Sequence, residues 1–496
     1  ALVVAACDVP VAKHGNRAAS SKAGGADTLE ALGLNLTRAS DMAEATLADL
    51  GIAFLFAQAH HPALARIAPI RKRLGRRTIF NLLGPLANPA GVTRQLVGVS
   101  HPDLIALYRE TMLLLDTEAA LIRAACKAGV KAPEVLVELE PQDHAGVGFI
   151  MRAIPGTPDP AVILLESDGE ALIAEIGREM AATHRIDLAP LSALPVFENR
   201  AALAALRERY LAYGGDRPIL SLALRWLEAN VPDPVPPVLV HGDFRMGNLL
   251  VDAGRLTGVL DWELAHIGDG HEDLAYGCMT VWRFARPDRP AFGLASVEAL
   301  ARAYEAAGGE AFDPVRFRFW LVYRTFWWAL GCIQMGNTWR DHLDRSLERV
   351  VVARRTSEQE LDLLLLLEDL APEAERTRPL PPAAEPLSPG RGEPNGAEVL
   401  TAISEWLAAD IKPLVSGRSK FDLAVARNAL GIVAREIEQR PQVCDKELAD
   451  DLMRGKVDLA TPGLLARLRR MALSKLTADM PKYPALALAR AKWEGN

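Results

Sequence analysis

Cysteine is scarce in this chain and scattered. Cys7, Cys126, Cys278, Cys332 and Cys444 lie far apart and form no C-x-x-C pair. That distribution argues against a zinc site and against a disulfide framework, and it suits a reducing cytoplasm. An excess of positive charge is missing too. The formal net charge is −7, so the electrostatic footprint of phosphate-backbone binding is absent and no nucleic-acid partner is expected. Nor is there an uninterrupted apolar run long enough for a membrane. The best candidate, Phe317 to Met335, is broken by Arg318 and Arg324, short of the ~20 apolar residues a span requires, and it reads as a core helix. Ala1 to Cys7 is apolar but has no charged n-region, so it reads as a buried strand and not as a signal peptide. The initiator Met is lacking as well, which suggests a fragment or a processed start.

What is present is a chain of 496 residues, 50% hydrophobic and 24% charged, the balance of a globular protein. Single cores stop growing near ~250–300 residues, so about three domains are expected. The texture divides accordingly. Residues 1–100 mix a short apolar strand, a loop from Lys13 to Gly25 and helical patches such as Met42 to Leu50, an α/β pattern. Residues 101–370 open with a helix over Asp116 to Ala128, closed by Gly129. Short apolar runs, Glu134 to Leu139 and Gly148 to Ile154, follow; then come long amphipathic segments, and then a strand-loop-strand region around Val238 to Asp261. Strands followed by helices predict an α+β domain. Residues 371–397 hold seven prolines between Pro372 and Pro394 and read as a linker. Residues 398–496 show helical periodicity throughout and read as an all-α module.

Chemistry concentrates at Val238-Leu-Val-His241-Gly-Asp243-Phe-Arg245-Met-Gly-Asn248-Leu-Leu-Val251, an apolar strand, a polar loop and a second apolar strand. Asp243 and Asn248 stand in the D-x-x-x-x-N spacing of a kinase catalytic loop. A third strand, Leu256 to Leu260, ends in Asp261-Trp-Glu263, where a second carboxylate suits a metal ion. His-Gly-Asp alone is commonly no more than turn chemistry. The ordered set, continuing through Gly268-Asp269 and Glu272-Asp273-Leu274-Ala275, points instead to phosphoryl transfer. Asp243 would orient a substrate hydroxyl and accept its proton, while Asn248 and Asp261 would hold Mg²⁺.

These motifs resemble the catalytic and metal motifs of aminoglycoside phosphotransferases and choline-kinase-like enzymes, in particular the branch that accompanies acyl-CoA dehydrogenases. The resemblance covers about half the chain. It implies a protein-kinase-like fold, mainly the large lobe, with ATP and Mg²⁺ as cofactors and a small-molecule hydroxyl as acceptor. It further implies that His241 braces the loop, that Arg245 lies near substrate or phosphate, and that the stretch from Phe149 through Met151 to Arg152 is the hinge on which adenine rests. Glu118 would be the helix glutamate that pairs with a phosphate-binding lysine. Phe149 to Arg152 can equally be an ordinary strand, and Glu118 a solvated surface charge. Two departures stand out. Gly270 replaces a common Pro, and no Gly-rich loop or V-A-I-K-like strand precedes the first helix, so the small lobe reads as truncated, with only Arg94 or Arg109 to replace the lysine.

The N-terminal loop Lys13-His14-Gly15-Asn16-Arg17-Ala-Ala-Ser20-Ser21-Lys22 is rich in donors that could hold an anion, or be a solvated turn. With Pro69-Ile-Arg71 and Asn81-Leu-Leu-Gly84-Pro85, it resembles the middle of anthranilate phosphoribosyltransferase from Ala1 to about Val99. The resemblance implies that Lys13, His14, Gly15, Asn16, Arg17, Ser20 and Ser21 contact phosphoribosyl pyrophosphate, and that Asn16 and Arg71 meet anthranilate. Gly25 departs from that family's small or hydroxylated residue. The family's glycine-rich pyrophosphate loop and Asp-Glu metal pair find no counterpart, so no useful transferase activity is expected of a fusion of two truncated enzymes. The last module resembles a helical domain of unknown function. Its Lys412, Arg418, Lys420 and Arg427 read as a solvated face. A cytoplasmic protein, with a homodimer allowed, completes the expectation.

Overall fold

The computed structural model describes residues 11–15, 25–57, 117–139, 148–382, 394–442 and 444–495. They fall into two compact units. The first comprises residues 1–123 and 133–153, and the second residues 124–132 and 154–496.

In the first unit β1 (Val11–Gly15) pairs in parallel with β2 (Ile52–Phe56). Helices cover both faces of β2, as a parallel strand requires. Phe54 packs with Ala26 and Leu36, whereas Ala53 and Leu55 pack with Ala43. The same unit holds the antiparallel hairpin of β3 (Val135–Leu139) and β4 (Gly148–Met151). A helix over 117–127 ends before Gly129, whose φ of +85° reverses the chain without strain on a Cβ.

The second unit contains the loop of interest. Asp168 caps the helix Gly169–His184 by accepting the backbone N–H groups of Glu170 and Ala171. Beside it lie two antiparallel pairs. β5 (Val238–Val240) runs with β8 (His266–Gly268), and β6 (Leu249–Asp252) with β7 (Arg255–Val259). Lys131, which belongs to this same unit, is tied into this layer. Its carbonyl accepts the Val259 N–H at 2.7 Å, and its Nζ donates to Leu256 O at 2.6 Å and to Glu175 at 3.1 Å.

The expected core helix is the 27-residue Pro314–Arg340, capped by Asp313, with Phe319, Trp320, Phe326 and Leu330 fully buried. Among the described residues no helix is long and apolar enough to cross a membrane. The helical C-terminal stretch is joined to this unit over a buried charge. Glu368 accepts from Arg469 Nη2 at 2.6 Å and from Trp493 Nε1 at 2.8 Å, and Lys492 Nζ lies 2.7 Å from its other oxygen.

The structure differs from the linker expectation over its first third. Glu373–Arg376 forms a short helical turn, and the chain to Pro381 is held by the helix Leu464–Asp479. Arg469 donates to Arg376 O at 2.8 Å and Arg470 to Pro381 O at 2.9 Å. A proline-rich stretch that buries little apolar surface is ordered here by side chains that satisfy its carbonyls.

Candidate active site

The loop after β5 turns at Gly242, the one residue type its surroundings accept. Its φ is +81°, and a Cβ there would lie 2.4 Å from Leu264 O. The turn carries His241 and Asp243 inward, where they are 0% and 7% exposed. A single 3₁₀ turn, Met246–Asn248, then brings Asn248 back to Asp243. Asn248 Nδ2 donates to the Asp243 carbonyl at 3.0 Å and to its carboxylate at 2.6 Å. Arg245 Nε donates to the same carboxylate at 3.0 and 3.2 Å, and its guanidinium lies 5.0 Å from the centre of the Trp282 ring.

His241 hydrogen-bonds on both sides of its ring. Its Nε2 donates to Leu260 O at 3.0 Å, which leaves Nδ1 to accept the Asp243 N–H at 3.2 Å. Burial pulls its pKa down, against the pull of the Asp273 and Asp243 charges, so the ring is neutral. Leu260 immediately precedes Asp261, and this bond therefore links the two carboxylate-bearing loops.

Beneath the loop, Asp273 accepts the N–H of His241 at 2.8 Å and of Gly242 at 2.9 Å, and His184 Nε2 sits 3.1 Å from it. Burial would raise this carboxyl, but the His184 hydrogen bond and the neighbouring imidazoles outweigh it and bring it down to about 2. Tyr276 completes the wall. Burial first, and the Asp243 charge second, push its phenol well above the ordinary range.

Asp261 is exposed and adopts φ +67°, a left-handed backbone that β-branched residues rarely accept. Loss of solvent, then the charges of Asp261 and Asp243, push the Glu263 carboxyl up. Three carboxylates thus share one field, a field that a divalent cation would relieve. With its amide nitrogen committed to Asp243, Asn248 has its amide oxygen left to offer. Asn248 and Asp261 supply an all-oxygen donor set, which suits Mg²⁺. Among the described residues, the cluster of three such groups close enough to share an ion is Asp269, His271 and Glu310, and it is already filled by a cation of its own, since Arg316 pairs with both carboxylates.

Glu118, Phe149 and Met151 belong to the first unit, Phe149 and Met151 on β4. Phe149 faces Glu138 across the hairpin, and Met151 is 41% exposed. Lys13, His14 and Gly15 form the end of β1. Asn16, Arg17, Ser20, Ser21 and Arg71 lie outside the described residues, as do Arg94 and Arg109. Sequence reasoning gave no role to Asp273, His184, Tyr276, Trp282 or Lys131. Of these, only Asp273 fell inside a quoted motif.

Comparison with known proteins finds the resembled families in different parts of the chain. Residues 105–320 match the phosphotransferase enzyme family, residues 1–132 the a/b domain of a glycosyl transferase family, and residues 413–483 a domain of unknown function. Anthranilate phosphoribosyltransferase of Novosphingobium aromaticivorans is 70% identical over 121 residues, 24% of this chain and 37% of that protein. The enzyme of Erythrobacter litoralis is 63% identical over 159 residues, 31% of this chain and 46% of that protein. The chain thus spans between about a third and a half of the length of these curated relatives. Among solved structures, an aminoglycoside-phosphotransferase-like protein of Ralstonia eutropha is 20% identical with a TM-score of 0.43, over 51% of this chain and 84% of that one. A choline/ethanolamine kinase family protein of Mesorhizobium loti is 21% identical with a TM-score of 0.34, over 51% and 80%.

Proposed function

We propose that this chain transfers a phosphoryl group from ATP to a hydroxyl group of a small molecule. The observation that carries the reading is the state of Asp243, a buried carboxylate oriented by Asn248 and Arg245 at the tip of a loop that His241 and Asp273 immobilise. Phosphoryl transfer asks a protein for positioning and charge stabilisation more than for covalent chemistry.

In this reading the acceptor hydroxyl donates a hydrogen bond to Asp243. As its oxygen forms the bond to the γ-phosphorus and the bond to departing ADP breaks, its proton passes to that carboxylate. Arg245, paired with Asp243, is the cation assigned to offset the charge of the transferred group. Asn248 and Asp261 would hold Mg²⁺, which when bound supplies charge neutralisation at the phosphates. We place the reaction in the cytoplasm, with neither nucleic acid nor membrane as partner and with a homodimer allowed.

The test is release of ADP from Mg²⁺-ATP by the full chain across a panel of small alcohols, amino sugars and amino alcohols. Asp243→Asn is expected to lower turnover by roughly 10²–10⁴-fold, the range of a lost general base. Turnover preserved in that variant overturns the proposal.

A second reading rests on the identity of residues 1–132 to anthranilate phosphoribosyltransferases. It treats Lys13 to Ser21 and Arg71 as a retained contact surface for phosphoribosyl pyrophosphate and anthranilate, carried as a remnant in a fusion of two truncated enzymes. Anthranilate fluorescence is expected to persist on mixing with phosphoribosyl pyrophosphate and Mg²⁺. A decay that Arg71→Ala abolishes would show transfer instead of a remnant.

A further inference from the structure

Tyr276 lines the Asp243 site, and the phosphoryl-transfer reading gives it no task. It ends the helix His271–Tyr276, and its phenol hydrogen-bonds the Asp243 carboxylate. That carboxylate already accepts Arg245 Nε on both oxygens and Asn248 Nδ2 on Oδ2. A carboxylate offers about four acceptor sites. Three donors leave little of it for a substrate hydroxyl, and the direction left open depends on which sites are filled.

The phenol is held from behind. Arg324, on the helix Pro314–Arg340, places its guanidinium 5.1 Å from the centre of the Tyr276 ring and 5.0 Å from that of Trp327. Tyr276 and Arg324 are each only 3% exposed. The arginine's charge is met by Glu272, whose Oε1 lies 2.5 Å from Nη2 and whose Oε2 sits 3.0 Å from His266 Nε2. A desolvated cation over an aromatic face is attracted more strongly than an exposed one, so the ring has little freedom to turn away from Asp243. On its other flank the Trp282 ring stands 6.2 Å away, and this indole carries the Arg245 guanidinium. Burial keeps the phenol protonated, so it stays a donor.

We propose that Tyr276 is a positioning residue for phosphoryl transfer. Its hydroxyl, backed by Arg324, donates to Asp243 and fixes the direction in which that carboxylate receives the acceptor hydroxyl. The inference rests on the phosphoryl-transfer reading and adds to Asp243 a partner drawn from a helix outside its loop.

The experiment uses the full chain and reads ADP release from Mg²⁺-ATP with the fastest acceptor of the panel above. Tyr276→Phe removes only the hydroxyl. Its kcat should fall by about 10–100-fold with KM for ATP and for the acceptor unchanged, since a misaimed base loses orientation and not affinity. Arg324→Lys keeps the charge that faces Glu272 but not the flat guanidinium. It should lower kcat on its own and have no further effect in the Tyr276→Phe background. Full kcat in Tyr276→Phe, a rise in KM alone, or an Arg324→Lys effect that adds in full to that of Tyr276→Phe each overturns the proposal, and Tyr276→Phe decides the question if Arg324→Lys fails to fold.

A urea-denaturation cycle needs no turnover and so separates this failure from failure of the phosphoryl-transfer reading. The midpoint shift caused by Tyr276→Phe should shrink in the Asp243→Ala background. Equal shifts in the two backgrounds overturn the proposal whether or not the wild type transfers phosphate. A wild type that releases no ADP with any acceptor, its shifts still unequal, overturns the phosphoryl-transfer reading and with it the positioning role, while the contact between Tyr276 and Asp243 stands.

Discussion

Asp273 reaches from the helix His271–Tyr276 to the turn at Gly242, where its Oδ1 accepts the backbone N–H at 2.9 Å. The other oxygen takes the N–H of His241, so one buried carboxylate satisfies two consecutive donors of the loop that presents Asp243. A left-handed turn exposes such donors on one side, and an anion held there fixes the turn. Asp273 is therefore a positioning residue for Asp243.

Its removal has a predictable cost and pH signature. The folded carboxyl titrates at about 2, below the ~3.9 of an unfolded aspartate. Its stabilisation is therefore fully present above the unfolded value and is lost as pH falls toward the folded one. Asp273→Ala leaves two buried N–H groups and His184 Nε2 unpartnered, and is expected to cost about 3–5 kcal/mol at pH 7. Urea denaturation checks this, and the gap between wild type and variant should shrink below about pH 4. A gap independent of pH would show that the carboxylate charge is not what holds the loop.

Gly270 gives the second prediction. A Cβ at this position would lie 2.7 Å from His184 Nδ1 and 3.0 Å from Cε1. That ring has nowhere to go, because Tyr304 and Asp273 hold it from either side at 2.8 and 3.1 Å. The proline common at this point in the resembling branch is thus excluded here by the imidazole. Gly270→Ala should destabilise by roughly 1–3 kcal/mol through overpacking and lower turnover with it. An unchanged melting temperature would mean that the ring moves aside freely.

How much of this was legible from sequence depends on how far apart the partners lie. The nearness of Asp243 and Asn248 could be expected because only four residues separate them and a single 3₁₀ turn closes the gap. His241 Nε2 reaches Leu260 O, 19 positions on, a step short enough to be expected from the strand pair between them. Arg245 was assigned to substrate or phosphate, and in the structure it rests on Asp243 and over Trp282. His184 lies 89 positions from Asp273, and no local pattern distinguishes it from any other histidine near a helix end. The ordering of residues 372–381 was illegible for the same reason. Composition reports what a segment can bury by itself, whereas Arg469 and Arg470 arrive from about 90 positions away.

Arg245 and Trp282 make a third test. The guanidinium pairs with Asp243 through Nε while its plane lies over the indole, a combination that an ammonium cannot reproduce. The pair is partly exposed, so its share of stability is small, within about 1 kcal/mol. Arg245→Lys should therefore leave thermal stability nearly unchanged and reduce kcat by roughly 10–100-fold, in line with loss of charge stabilisation at the transferred group. If KM alone rose, Arg245 would be a substrate-binding residue and not a partner in the transfer.

Asp362 predicts an opposite pH dependence from Asp273. Its folded carboxyl titrates at about 7 against ~3.9 unfolded, so between these values the native state binds more protons than the unfolded chain. Stability contributed by this site must fall as pH rises through that window and level off above it. Asp362→Asn cannot ionise, and its amide oxygen can still accept the Tyr483 hydroxyl. The variant should gain on wild type as pH rises from 5 to 8, by about 2–3 kcal/mol if the whole shift is realised. Chemical denaturation at the two pH values reads the difference directly. A variant that loses ground at pH 8 would show that the charge on Asp362, held between Tyr483 and Arg283, stabilises the fold instead of straining it.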